Sequence, residues 1–386
     1  MRSLIYLFII LFLLSACDED IVEYNSTEKF NSIFDNPSEG INYTPLDVIE
    51  TNEGGYIVLS KLANNTIFVL KVSNRGDFQW SRQLEPQYVD PIAGLVQQGD
   101  KYYFIAATNP NATSTLFEIN DLEQKIEPLR TYDSYPNPLA FNTINPNTYL
   151  LLTYNDTTGM VLSKIQDGFA MEWARRFDTV KLTDQNILTF RRTKKEEFFV
   201  GAYNSGSVLY FNGLRGNSLN LTYTNDQGIQ SGLIESQAQD KINSITEIGS
   251  GLLAINYFYN NQSYFVNSYS PIVQDTVEIE FLGGGNVRDR LSIQKATSAV
   301  IPVGNSEYLV NAYTTLDGRI KLNFYDQNSG DLVAIKYIGG IDPLAVVKIA
   351  PTQDEGMIIL SKITLAGTKE RINIFKIPKE EILEIL

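Results

Sequence analysis

The only cysteine of the chain, Cys17, has the most distinctive chemical setting of any side chain. It follows two small residues, Ser15 and Ala16, and an almost unbroken apolar run from Leu4 to Leu14. One basic residue, Arg2, precedes the run, and this arrangement is typical of a secretory signal. At about 1.5 Å per residue the run is too short for a permanent helix across a hydrocarbon core of roughly 30 Å. The pattern therefore predicts a cleavable leader that ends close to Cys17.

The four residues Leu14-Ser15-Ala16-Cys17 resemble the lipobox of bacterial lipoproteins, in which a branched apolar residue and two small residues precede an acylated cysteine. The resemblance implies that residues 1–16 are a lipoprotein signal peptide and that residues 17–26 form a tether with its lipid on Cys17. Several acyl chains give stable attachment where one chain gives only marginal binding, so we expect a lipid-anchored membrane protein. The alternative is a buried cysteine in an ordinary N-terminal strand.

Three acidic residues, Asp18, Glu19 and Asp20, follow the predicted lipid site. A short acidic run at this place resembles the surface-export signal of Bacteroidota outer-membrane lipoproteins. Under the enterobacterial sorting rule, by contrast, an aspartate after the cysteine favours retention at the inner membrane. We favour the surface interpretation because the chain is rich in Asn, Ile and Tyr, with the periplasmic face as the alternative. The three acids could also simply solvate a flexible tether.

Catalytic chemistry has few candidates in this chain. Histidine is absent from the sequence, which removes Ser-His-Asp triads, the commonest general base near neutral pH and the ordinary zinc site. Two carboxylates at a fixed separation would suffice for glycoside hydrolysis. Asp240, Glu247 and Asp289 are candidates, but the sequence does not distinguish them from surface acids. We expect no enzymatic activity, no cofactor and no metal.

The charge balance limits the partners of the chain. Its 31 basic and 45 acidic residues give a formal net charge of −14, and loss of Arg2 with the leader makes the mature chain more acidic still. Phosphate backbones repel such a chain, so nucleic acid is not an expected ligand. The only dense basic cluster, Arg191 to Lys195, lies between two apolar runs, and we interpret it as a hairpin turn with solvated charges.

Two short segments have the composition of ligand loops. Gly283 to Gly285 follows a strand-like run, but no dinucleotide fingerprint accompanies it, so we interpret it as a loop between two units of the fold. Asp326 to Asp331 places oxygen ligands at alternate positions, as a calcium loop would, yet it lacks the distal glutamate. Because it lies between two strand-like segments, we favour a hairpin turn.

The elements that would position these residues follow from an internal repeat. A short apolar segment that begins after a Gly, Asn or acidic turn recurs seven times, with starts separated by 47, 46, 49, 54, 56 and 49 residues. The copies are Gly55 to Ser60, Tyr102 to Ala107, Thr148 to Tyr154, Glu197 to Tyr203, Gly251 to Tyr257, Glu307 to Tyr313 and Gly356 to Lys362. A period near fifty residues is typical of a unit of four strands.

Each copy has strand-like companions in the same order. In the first unit a strand ends near Thr51, the apolar copy follows, and Ile67 to Val72 and Phe78 to Ser81 come next. Val, Ile, Tyr and Phe bounded by Gly, Asn and Asp are typical of strands joined by hairpins. The copy is apolar at nearly every position, so we expect it to be the second strand of its unit, buried on both faces. We therefore predict an all-β fold, a seven-bladed β-propeller of four-stranded antiparallel blades over residues 27–386.

The first unit, from Glu53 to Trp80, also resembles the blades of exported bacterial β-propellers. This resemblance supports the fold and carries no activity with it. The strand-like segments of the seventh unit end at Ile377, and a fourth strand is missing. The segment Lys29 to Phe34 also has strand character but belongs to none of the seven units. We predict that these two ends join in one blade, which would remove an exposed sheet edge. A C-terminal helix packed under the ring is the alternative.

Three functional hypotheses follow. The first is a binding or scaffold subunit of an outer-membrane protein complex for import, assembly or secretion, whose partner is a β-barrel. The second is direct capture of an extracellular glycan or peptide in the central depression, for which the 22 tyrosines offer a weak argument. The third is a glycan-cleaving enzyme, which would need two acids across a cleft.

Overall fold

A computed structural model describes residues 28–34, 41–177, 187, 197–215, 218–237, 240–249, 251–291 and 295–386. Cys17, the acidic residues Asp18 to Asp20 and the basic cluster Arg191 to Lys195 lie outside these ranges, so what the sequence predicts for them stays a prediction. The described residues form seven sheets that are the blades of an all-β propeller, as predicted. No helix in this part of the chain combines the length and the apolar character needed to cross a membrane.

A lone strand, β1 (Phe30–Phe34), comes before the first blade. Blade 1 contains β2 (Tyr43–Glu50), β3 (Tyr56–Leu62), β4 (Ile67–Val72) and β5 (Phe78–Gln83). Blade 2 contains β6 (Tyr88–Val89), β7 (Val96–Gln98), β8 (Lys101–Thr108), β9 (Thr113–Asn120) and β10 (Lys125–Pro136). Blade 3 contains β11 (Pro138–Asn145), β12 (Thr148–Asn155), β13 (Gly159–Ile165) and β14 (Met171–Phe177). In blade 2 the first strand is split, because β6 and β7 both pair with β8.

Blade 4 contains β15 (Val200–Tyr203), β16 (Val208–Arg215), β17 (Ser218–Asn225) and β18 (Gln230–Glu235). The next elements are β19 (Lys241–Glu247), β20 (Leu253–Tyr259), β21 (Gln262–Tyr269), β22 (Thr276–Glu278), a 3-10 turn (Ile279–Leu282) and β23 (Gly285–Asn286). Blade 6 contains β24 (Ala296–Val303), β25 (Ser306–Thr314), β26 (Ile320–Asp326) and β27 (Leu332–Ile338). The chain ends with β28 (Leu344–Pro351), β29 (Met357–Leu365), β30 (Lys369–Ile377) and the helix α1 (Lys379–Ile385).

The second strands are buried on both faces, as the apolar repeat predicts. In β3 every residue from Tyr56 to Ser60 is buried, and β12 and β29 show the same pattern. The turn before β3 explains the glycine that opens the repeat. Gly55 has φ of 80°, and a Cβ there would lie 2.2 Å from the carbonyl oxygen of Val72. Only glycine combines this backbone conformation with so close an approach to the neighbouring strand.

Ring closure joins the two ends of the described chain, as predicted. The strand β1 pairs antiparallel with β30 and completes blade 7, whose order is β1-β30-β29-β28. Phe30 and Phe34 pack against the apolar cluster between blades 7 and 1. The helix α1 follows and packs with Ile382 fully buried against blades 6 and 7. The structure therefore contains both the closing strand and the C-terminal helix.

Blades 4 and 5 depart from the predicted pattern. Within the described residues, Val200–Tyr203 is the first strand of blade 4, beside the first strand of blade 3, so the prediction of Glu197 to Tyr203 as a second strand was wrong. Val208–Arg215 holds the second position. The strand β22 leaves blade 5 and pairs parallel with β18 as a fifth strand of blade 4. Blade 5 therefore consists of β19, β20, β21 and the two-residue β23.

Candidate binding cleft between blades 5 and 6

The three candidate carboxylates occupy separate places. Asp240 precedes β19 and accepts the backbone N–H of Asn260 at 2.9 Å, whereas Glu247 ends β19 and accepts that of Asn204 at 3.1 Å. A seven-residue strand at about 3.3 Å per residue places the two acids roughly 20 Å apart, well beyond the 5–10 Å of glycosidase pairs. Asp289 lies elsewhere, beside a cleft between blades 5 and 6.

The cleft exists because β23 is only two residues long. Gly285–Asn286 pairs with Tyr264 and Phe265, and the rest of β21 has no strand beyond it among the described residues. Gly283 and Gly284 lie in the loop that leads into this edge, as the sequence predicts, whereas Gly285 is the first residue of β23. The face of blade 6 opposite this short edge borders a cavity of about 470 Å³, a size typical of ligand sites.

One end of the cleft is charged. Asp289 accepts hydrogen bonds from the hydroxyl of Tyr313 at 2.9 Å and from Nζ of Lys321 at 2.8 Å. Burial alone would raise the pKa of Asp289, but these two hydrogen bonds outweigh it and hold the pKa below the usual range. Burial also raises the pKa of Tyr313 to about 12. Asp289 is thus an ionised partner in a salt bridge, whereas a glycosidase acid needs a raised pKa.

The other parts of the cleft are apolar and aromatic. Phe265 from blade 5 faces Tyr325 from blade 6, with ring centroids 5.4 Å apart. Leu332 and Ile335 complete the wall on the blade 6 side. Arg288 lies beside Asp289 at the charged end, is exposed, and makes no ion pair within the described chain. The cleft thus combines an apolar wall with a positive charge that forms no ion pair in the described ranges.

The outer strand of blade 6 continues the apolar wall onto the surface. We call the exposed side chains of β27 the blade 6 rim; they are Leu332, Val333, Ile335 and Tyr337, each 43–48% exposed. In blade 1 the corresponding strand β5 is polar apart from Phe78 and Trp80. Outer edges of sheets usually carry charges that prevent pairing with other chains. Contiguous exposed apolar residues therefore mark the blade 6 rim as an interaction surface.

The predicted hairpin at Asp326 to Asp331 is confirmed. It joins β26 to β27, and the Asp326 carboxylate accepts the backbone N–H groups of Asn328 and Ser329 at 2.9 and 2.8 Å. The aspartate therefore stabilises its own turn. No group of three or more metal-binding side chains occurs in the described ranges.

Asp289 and the glycine segment Gly283 to Gly285 were candidates from the sequence, whereas the other residues of the cleft were not. Tyr313, Lys321 and Ile335 come from three different strands and Arg288 comes from the loop after β23, so no local motif connects them. A signal was nevertheless present in the repeat. The starts around blades 4 to 6 are 54 and 56 residues apart against 46–49 elsewhere, which indicates extra chain in this part of the ring.

Comparisons with known proteins support the fold alone. No protein-family model and no curated protein matches the chain. A chain in the crystal structure of the mitotic checkpoint complex is 12% identical, with a TM-score of 0.52 over 91% of this chain and 92% of that one. YCF48 from Cyanidioschyzon merolae is also 12% identical, with a TM-score of 0.52 over 89% of this chain and 98% of that one. This chain is thus similar in fold to both proteins.

Proposed function

We propose that this chain is a lipid-anchored, surface-exposed subunit of an outer-membrane protein complex, and that it acts by binding another protein rather than by catalysis. The observation that carries the proposal is the blade 6 rim. Its four large apolar side chains lie on β27, beyond which blade 6 has no further strand among the described residues, and they form a surface that water solvates poorly and that a protein partner would cover.

The lipobox-like segment at Cys17 supports the anchor. An acylated chain remains at its membrane, so the partners it meets most often are membrane proteins. A β-barrel of the outer membrane would supply an extracellular surface for the blade 6 rim. The fold is compatible with this role, since a chain of similar fold occurs in the mitotic checkpoint complex.

The test is a pull-down of the tagged full-length protein from outer membranes in mild detergent, followed by mass spectrometry. We expect a β-barrel protein in stoichiometric amount with the wild type, and its loss when Val333→Asp and Tyr337→Asp are combined. The matched control is Phe78→Asp in β5, since Phe78 is 59% exposed on the outer strand of blade 1. Recovery of the propeller alone would contradict the proposal.

The anchor is tested separately. We expect Cys17→Ala to abolish acylation, detected as the missing lipid mass on the N-terminal peptide, and to release the chain from the membrane fraction. An unchanged membrane fraction in that variant would refute the lipid anchor.

A further inference from the structure

Blade 5 lacks most of its outer strand. In blade 6, β27 pairs with β26 along its length, from Tyr325 to Ile320. In blade 5, β23 pairs only with Tyr264 and Phe265, so residues 266–269 of β21 have no strand beyond them in the described structure. The backbone groups at this edge therefore remain available for pairing with another strand.

The chain itself is directed away from this edge. Gly283 and Gly284 have φ of 75° and 93°, and the carbonyl oxygen of Gly283 accepts the hydroxyl of Tyr257 at 2.6 Å. The segment before them forms β22 and completes the edge of blade 4 instead. The residues that could have extended the fourth strand of blade 5 are thus used elsewhere.

The cleft lies beside the missing strand. Its cavity of about 470 Å³ is lined on one side by Phe265 and Asn267 of β21, and on the other by Tyr325, Leu332 and Ile335 of blade 6. Alternate residues of a strand point to the same face of its sheet. Every second side chain of an added strand would therefore point into the cleft, against this apolar wall.

We propose that an extended segment of a partner protein completes blade 5 as its fourth strand. The segment would place apolar side chains at alternate positions in the cleft and a carboxylate beside Arg288, whose charge has no partner within the described residues. Main-chain hydrogen bonds would hold the segment and the apolar wall would select it. This inference rests on the proposed function in one respect, that the partner is a protein.

The polar groups of the cleft argue for a strand over a glycan. The side-chain amide of Asn267 donates to the carbonyl oxygen of Gly330 at 2.7 Å, and Asp289 is held by Lys321 and Tyr313. These groups already have partners within the chain, so few remain for sugar hydroxyls. The open backbone edge has no comparable partner among the described strands.

The test uses the full-length protein in detergent and fluorescent six-residue peptides of alternating Val and Thr. Two peptides carry an aspartate at either end, and two matched peptides carry asparagine instead. We expect saturable binding by fluorescence anisotropy, about tenfold tighter for one of the aspartate peptides than for its asparagine counterpart. Arg288→Glu should remove this tenfold preference while leaving the asparagine peptides unaffected.

A second variant tests the backbone pairing. Proline is tolerated in an edge strand at a residue whose N–H points away from the sheet. The backbone groups of Ser263 and Phe265 point towards the outer edge of β21, and every second residue of a strand repeats this direction, so the N–H of Asn267 also points outward. Asn267→Pro should weaken binding of every peptide at least about tenfold. Asn267→Ala, which keeps the backbone N–H and loses the side-chain bond to Gly330, should weaken binding much less. Circular dichroism and the unfolding midpoint verify that each variant is folded.

The inference would be overturned by the absence of saturable peptide binding, or by equal binding of a folded Asn267→Pro variant and the wild type. Saturable binding of neutral oligosaccharides without peptide binding would assign the cleft to glycans and overturn it as well. Because the peptide assay needs no partner complex, its failure is separate from a failure of the pull-down that tests the outer-membrane role.

Discussion

The seam between blades 7 and 1 and the seam between blades 5 and 6 use charge in opposite ways. At the first seam the Asp47 carboxylate, 3% exposed, binds Nζ of Lys348 from blade 7 and accepts the N–H groups of Gly94 and Leu95 from blade 2 at 2.7 and 2.8 Å. One buried acid thus links three blades. Nearby, the fully buried Lys376 pairs with Asp354 and also donates to Thr352.

At the second seam the charged groups that line the cleft are more exposed. Lys321 and Asp289 pair with side chains 14% and 45% exposed, and Arg288 has no ion pair in the described chain. The adjoining strand β23 has two residues, whereas β30 has nine. The ring is therefore closed, where the chain ends meet, by long strands and by buried charges that are paired. The seam between blades 5 and 6 is left open and exposes groups that a ligand can use.

The strongest test of this contrast removes one buried charge from the closing blade. Lys376→Met leaves Asp354 without its partner in a site that excludes water, and we expect a loss of about 3–5 kcal/mol in the free energy of unfolding. Replacing both residues, with Lys376→Met and Asp354→Leu, should recover most of the loss. Urea denaturation measures both effects.

The control for this variant is Lys379→Met, which removes a partly exposed partner of Glu355 and should cost less than about 1 kcal/mol. Equal losses for Lys376→Met and Lys379→Met would show that the buried pair does not hold the seam.

The closing strand gives the next largest effect. Phe30→Ser combined with Phe34→Ser removes the two half-buried rings of β1, and we expect a loss of about 3 kcal/mol by urea denaturation. Ile33→Ser is the matched control, because Ile33 lies on the opposite face of the strand and is 42% exposed. It should cost less than about 1 kcal/mol. A small loss for the double variant would mean that β1 contributes little to closure.

The pH dependence of the unfolding free energy tests the buried pair of Lys376 and Asp354. Burial would raise the pKa of Asp354, but hydrogen bonds from Lys376 and Thr352 outweigh it and lower the pKa in the folded state. A lowered folded pKa gives stability that is fully present above the unfolded value of about 3.9 and is lost as the pH falls from there through the lower folded pKa. We therefore expect Asp354→Asn to flatten the fall in unfolding free energy between about pH 5 and pH 3 relative to the wild type. An unchanged slope would contradict this assignment.

The smallest expected effects are at the open seam. Leu332→Ser and Arg288→Ser should each change the free energy of unfolding by no more than about 0.5 kcal/mol, since both residues are exposed and no ion pair of Arg288 is lost in the described chain. The buried control is Phe265→Ala, which removes a ring only 5% exposed and should lower the free energy of unfolding by about 3 kcal/mol. Large losses at the two exposed positions would show that this seam also serves stability.

The number of blades and the closure of the ring were predictable because each depends on a short segment of sequence. The apolar copies such as Gly55 to Ser60 show seven units, and most residues of each copy are buried because nearly every position is apolar. The unpaired character of Lys29 to Phe34 indicated closure by the N-terminal strand. In blade 4, however, both Val200–Tyr203 and Val208–Arg215 are strand-like, and the sequence did not decide which of them lies innermost.

The cleft was not predictable because it depends on pairing between segments that are distant in the chain. The pairing of β22 with β18 joins residues about forty positions apart in a parallel arrangement, for which no turn motif exists. The short β23 is a consequence of that pairing, and so is the exposure of Phe265, Tyr325 and Ile335 to a common cavity.

The sequence by itself determined the number of units and most of the strands buried on both faces, because each of these depends on residues that are neighbours in the chain. For the same reason it predicts a leader that ends close to Cys17. Only the tertiary structure decided which blade receives β22, where a cleft opens between two blades and which charges have no ion-pair partner among the described residues. An apolar strand can pair with several neighbours at similar local cost, so the arrangement of these parts depends on the burial and pairing of the whole ring.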